Sequence, residues 1–133
     1  MVDYITGING CGKSKILAQA AVATAEISDG NVVFIDYGDK LNKVLPPNIR
    51  LINISDYNIE STMSFYGFLI GLCASDYDLT DVFIDSTLKI ISNQESNMDD
   101  FFKFLTDVSG STGVNFHFSV CDEYTPALTY QGV

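Results

Sequence analysis

The eight residues Gly7-Ile-Asn-Gly-Cys-Gly-Lys-Ser14 constrain this chain more than any other feature. They satisfy the pattern GxxxxGK[ST] in full. From average glycine usage, a chance match in a chain of this length is about one in a few hundred. The short β-type run Tyr4–Thr6 leads into the glycines, and a helical pattern begins at Lys13. Each part of the loop has a physical task. Glycine permits positive φ and leaves no Cβ between backbone and ligand. Several N–H groups can then converge on an anion, and the start of the helix adds its own free N–H groups and partial positive charge. The spacing predicts that Gly7, Asn9, Gly10, Cys11, Gly12, Lys13, Ser14 and Lys15 cradle phosphates, mostly through main-chain N–H. Lys13 supplies an ammonium for the β- and γ-phosphates. Ser14 offers a hydroxyl to Mg²⁺, a hard ion that takes oxygen ligands. The competing account is a glycine-rich turn with an incidental lysine, and the flanking strand and helix weigh against it.

The remainder alternates in type. A helix is expected over 13–28, with apolar positions at Ile16, Leu17, Ala20, Ala21 and Thr24 and a stop at Asp29-Gly30. The run Asn31–Asp36 is apolar without alternation, which suits a strand covered on both faces of a parallel sheet. Residues 37–48, with Pro46-Pro47, read as a loop or short turn. A short edge strand is expected over 50–54, an apolar helix over 58–74 and a strand over 81–85. Residues 98–108 form an amphipathic helix in which Met98, Phe101, Phe102, Leu105 and Val108 share a side. Asn97 with Asp100 resembles its cap, and Gly110 is expected to end it. A last buried strand covers 114–120. This order predicts one domain over 1–133, a three-layer α/β/α sandwich with a mostly parallel sheet and right-handed crossovers.

Composition narrows the partners. The net charge is −10 and Arg50 is the single arginine, so a nucleic-acid face and an anionic membrane surface are both disfavoured. The cysteines, Cys11, Cys73 and Cys121, lie far apart and His117 is the one histidine, so a structural zinc site is not expected. Free thiols and the lack of a signal-peptide pattern at MVDYITG point to the cytoplasm. Met63–Ala74 is too short to span a bilayer, which takes ~20 residues. It reads as a buried helix or as a surface for self-association or for an unidentified protein partner. Gly67 and Gly71 lie on one face of it.

A nucleotide site needs a second carboxylate for the magnesium shell, at the C-terminal end of a buried parallel strand. Asp36 and Asp85 both end such strands. Asp85 is preferred, because a further helix and strand follow it.

Val82-Phe-Ile-Asp-Ser86 resembles the Walker B strand of RecA/KaiC-like ATPases. Phe34–Asp39 is similar to the strand of that group that carries the catalytic glutamate. In the family pattern an acid two positions after the aspartate polarises the attacking water. Here that position is Gly38 and the nearest acid is Asp39. The resemblance therefore implies Lys13 and Asp39 as catalytic residues, with Asp36 as an alternative, and it places Ser119 at the polar sensor position. The whole chain also resembles short P-loop proteins of Clostridia and related Firmicutes that carry the label "twitching motility protein PilT". That resemblance rests on G-x-N-G-x-G-K-S, V-V-F-I-D and the block Tyr66–Asp85. It covers the minimal ATP-binding core alone.

The expected function is Mg-ATP binding by a RecA-like P-loop core, with slow hydrolysis at best, in a nucleotide-dependent regulator or adaptor. The alternatives are a small-molecule kinase, which would want an arginine-rich lid, and an interaction module that uses nucleotide only structurally. Adenine is preferred over guanine because Asn42-Lys43 is not followed by the aspartate of an NKxD motif.

Overall fold

The computed structural model describes residues 1–7, 12–38, 45–85 and 98–121. Strand β1 covers Val2–Gly7 and helix α1 Lys13–Ile27. Strands β2 and β3 cover Asn31–Asp36 and Ile49–Asn53. A single 3₁₀ turn, Ile54–Tyr57, leads to α2 at Thr62–Ser75. Strand β4 covers Leu79–Ile84, α3 covers Met98–Thr112 and β5 covers Asn115–Cys121. All strand pairs are parallel, in the order β1-β5-β4-β2-β3. The fold class read from the sequence is the one observed, including β3 at an edge of the described sheet.

Two-residue alternation sorts the strands' side chains onto two cores. Val33 and Ile35 of β2 and Val82 and Ile84 of β4 join Phe65, Leu69, Phe101, Phe102 and Leu105 of α2 and α3. Val32 and Phe34 of β2 and Phe83 of β4 join Leu17, Ala18 and Ala21 of α1 on the other side. Five of the six residues of β2 are buried, so its unbroken apolar run reflects helices on both faces. The α2/α3 side is rich in rings. Phe101 and Phe65 stack 5.8 Å apart, and Phe102 meets Phe118 edge-on at 5.0 Å. Each fully buried phenylalanine contributes roughly 1.5–3 kcal/mol.

Several expected boundaries move. Helix α2 begins at Thr62, not 58, because the Ser61 hydroxyl accepts from the Ser64 N–H while Ser64 Oγ accepts from the Ser61 N–H, both at 3.1 Å. Asn58, in the left-handed region at φ 54°, closes the 3₁₀ turn instead. Helix α3 runs past Gly110 to Thr112. The terminator is Gly113, with φ +79° and its N–H bonded to the Ser109 carbonyl at 2.9 Å. Asn97, read as the cap of α3, lies outside the described residues. No helix among the described residues is long and apolar enough to cross a membrane.

The order of connections fixes where a ligand fits. The chain leaves β1 for α1 on one face, and returns through α2 and α3 on the other. In open parallel sheets the crevice opens at the carboxyl ends of the strands, where consecutive connections diverge. Here those are the ends of β1, β5 and β4.

Candidate functional site

Register and pleat bring a row of polar groups to that edge. Ile84 pairs with Phe118 and with Ile35, so Ser119, Asp85 and Asp36 stand at one level on three adjacent strands. Asp36 pairs with Asn53 of β3, which extends the row. Asp85 follows Phe83 by two residues and Asp36 follows Phe34 by two. Both therefore point to the face that α1 covers. Helix α1 is the element that follows β1 in the chain, and β1 ends at this same edge.

The carboxylates are deeply placed. Asp36, Asp85 and Ser119 are 0%, 2% and 4% exposed. The Ser119 hydroxyl donates to Asp85 Oδ1 at 2.5 Å, and the Asp85 N–H bonds the Ile35 carbonyl at 2.9 Å. The Asp36 Oδ1 accepts from the Tyr37 N–H at 2.8 Å. The next turn is clamped from β3, where Asn53 Oδ1 accepts from the Gly38 N–H at 2.7 Å and from Ser55. Gly38 has φ +112°, which suits glycine there.

At the start of α1, Gly12 is the cap, in the left-handed region at φ 91° and ψ 20°. Its carbonyl accepts the Ile16 N–H at 3.0 Å. A glycine cap brings no side-chain oxygen to the first N–H groups of α1, and its first turn holds no acidic residue. Lys13 and Ser14 are half-buried at the helix start, and Lys15 is exposed. Of the phosphate-holding residues read from the sequence, Gly7 ends β1, while Gly12, Lys13, Ser14 and Lys15 open α1. Asn9, Gly10, Cys11 and the expected catalytic Asp39 lie outside the described residues.

The donor set suits magnesium. A carboxylate and a hydroxyl are hard oxygen ligands, and Mg²⁺ takes one or two carboxylates together with phosphates and waters. Among the described residues no cluster of three or more His, Cys, Asp or Glu side chains forms an all-protein cage. Ser14 with Asp85 would be a set of this smaller kind.

Two features of this face escaped the sequence. The first is the partner of Ser119. Its position was legible, but register alone shows that its hydroxyl meets Asp85 rather than backbone. The second is His117, two residues earlier on the same face of β5. Its Nδ1 lies 2.7 Å from Asp3 Oδ1 and its Nε2 lies 2.8 Å from Asp81 Oδ2. Its ring stacks on Phe83 at 4.3 Å. Burial favours the neutral ring, but the two carboxylates outweigh it and hold the imidazole pKa above its ordinary value. Nothing in a lone histidine between two phenylalanines announces partners 114 and 36 residues away.

No protein family matches the chain, and no curated protein matches it. Among solved structures, the flagellar accessory protein FlaH from Methanocaldococcus jannaschii superposes with a TM-score of 0.64 at 19% identity, over 97% of this chain and 65% of that one. The chain thus spans 65% of the length of this neighbour. The likeness does not extend to the pilus-retraction label. It bears on the fold alone, an all-parallel α/β sheet sandwiched between helices.

Proposed function

We propose that the chain is a Mg-ATP-binding protein of RecA-like type, a nucleotide-dependent regulator or adaptor with slow hydrolysis at best. The observation that carries this reading is the pairing of a glycine-capped helix start with the buried Asp85–Ser119 couple at one end of a parallel sheet. In this reading the first N–H groups of α1 and the loop before it bind the phosphates, and the Lys13 ammonium neutralises them. Ser14 and Asp85 hold the ion, directly or through water. Ser119 fixes which way the Asp85 carboxylate faces. Held there by Ser14 and Asp85, a magnesium ion would supply charge neutralisation to the phosphates. Asp39, or Asp36 as the alternative, would orient the attacking water.

Slow turnover follows from what phosphoryl transfer requires. Developing charge needs a further cation beyond Lys13. Arg50, the single arginine, is exposed near the beginning of β3, at the opposite end of the sheet from the Asp36–Asp85 row. It serves this role only from a neighbouring copy. The same scarcity weighs against a small-molecule kinase.

Calorimetry with ATP, ADP and GTP, with and without Mg²⁺, followed by phosphate release from the same sample, tests the reading. Micromolar to millimolar Mg-dependent ATP binding that Lys13→Ala abolishes is expected. An indifferent wild-type protein at millimolar ATP ends the proposal.

A second reading, the interaction module, is favoured by α2. Its fourteen residues carry no charge, and Met63 is 65% exposed. A helix apolar all round is ordinarily covered. If this module works without nucleotide, Lys13→Ala removes ATP affinity and leaves association unchanged in sedimentation.

A further inference from the structure

A groove of about 670 Å³ runs along the outward flank of α1, beginning at Ser14 and ending at Glu26. Its walls are mainly apolar. Ala18 and Val22 line it from the helix, and Leu45, just before β3, lines it from across. The alanines of α1 keep that flank shallow, so a flat ring can approach the helix closely. Its starting point coincides with the helix turn assigned above to phosphate. A ligand anchored there by its phosphates directs its remaining atoms into the groove.

We propose that this groove is the base-binding site, and that it takes adenine. The inference rests on the phosphate reading of Gly12–Ser14 and adds to it the location of the base and the side chain that would read it. Depth along the helix decides which residues meet which part of the ligand. At 1.5 Å of rise per residue, Gln19 lies ~7 Å beyond Ser14, Val22 ~12 Å and Glu26 ~18 Å. A ribose spans the first of these intervals, which places the ring between Ala18, Val22 and Leu45 with Gln19 at its edge. Glu26 lies too far along to meet it. Gln19 carries both a donor and an acceptor on one amide. That pair matches the adjacent amine and ring nitrogen of adenine. Guanine presents two acceptors on the corresponding edge and leaves the amide's oxygen facing an acceptor.

Two measurements on the full chain test this. In the first, backbone amide spectra of the labelled protein are recorded with inorganic tripolyphosphate and with ATP, each with Mg²⁺. Tripolyphosphate is expected to move the signals of Gly12–Ser14 only. ATP is expected to move those and also Ala18, Gln19, Val22 and Leu45. If both ligands move the first turn and neither reaches the groove, the base site is overturned while the phosphate reading stands. If neither ligand moves the first turn, the phosphate reading fails and the groove proposal with it. In the second, Gln19→Ala, at an exposed helical position, is titrated with ATP, GTP and tripolyphosphate. The loss of one neutral hydrogen bond predicts a drop of about 3- to 10-fold in ATP affinity, with tripolyphosphate unchanged. An unaltered preference for ATP over GTP in this variant overturns the assignment.

Discussion

At the scale of single residues, the glycines separate by physical role, and the distinctions are testable. Gly30, read from the sequence as the stop of α1, has a different task. An added Cβ would lie 2.0 Å from the Asp78 carbonyl oxygen and 2.8 Å from Thr80 Cγ2. That carbonyl accepts the Asn31 N–H at 2.7 Å, at the very start of β2. The methyl of Gly30→Ala therefore pushes apart the β2–β4 junction, and a cost of about 1–3 kcal/mol is expected, as for overpacking elsewhere. Urea unfolding measures it as a lower midpoint with unchanged slope. A midpoint equal to wild type would mean the close approach does not exist. The candidate site residues were unevenly legible at this scale. Lys13 and Ser14 follow from motif spacing, because phosphate and magnesium binding would demand those atoms at those intervals, and Asp85 follows from its place at the end of a buried strand with a further helix and strand after it. Asn53 does not, since its contact with the Gly38 N–H depends on which strand lies beside β2.

At the scale of elements, the C-terminal end of α3 and the clamp on β5 show where local signals stop. Gly110 looked like a terminator because glycine often is one, yet the helix continues past it to Thr112 and ends at the left-handed Gly113, whose N–H bonds the carbonyl of the buried Ser109. The two glycines predict opposite outcomes. A Cβ at Gly110 meets nothing within 4 Å and needs no left-handed backbone, so Gly110→Ala should stabilise by about 0.5–1 kcal/mol. Gly113→Ala forces φ +79° on an alanine and should destabilise by about 1–2 kcal/mol. Thermal denaturation of the pair reads both signs. If they shift together, the assigned end of α3 is wrong.

The His117 clamp joins β1, β5 and β4 through Asp3 and Asp81. A neutral imidazole has one N–H and can satisfy only one carboxylate, so the geometry selects the doubly protonated ring. Its folded pKa lies above the unfolded value of ~6.5. The clamp's stabilisation is therefore complete below about pH 6.5. It disappears as pH rises through the folded pKa. Urea midpoints across this range should fall in wild type and lose that fall in His117→Gln. Parallel profiles for the two proteins would show that the ring does not gain its proton from this pair.

At the scale of the whole molecule, the parallel sheet and its two covered faces were readable because alternation of element type admits few topologies. Strand order was not readable, and it is strand order that sets Asp85 between Asp36 and Ser119 at the edge where α1 begins. A polyanion is being assigned to a chain of net charge −10, so the general field opposes the ligand and local groups must overcome it. In the proposed reading magnesium and Lys13 would be those local groups, which would make the ligand effect on stability strongly ion-dependent. At a hundredfold excess over Kd, a ligand bound only by the folded state adds about 2.7 kcal/mol. For a chain of this size that is roughly a 10 °C rise in Tm. Mg-ATP should produce this rise, and ATP with a chelator should produce little. Lys13→Ala and Asp85→Asn should both remove it, the second mainly by removing its magnesium dependence. Ser119→Ala should reduce it partway, because the carboxylate stays but loses the hydroxyl that orients it. An equal rise with and without magnesium would leave Asp85 and Ser119 as structural residues and confine binding to the glycine loop.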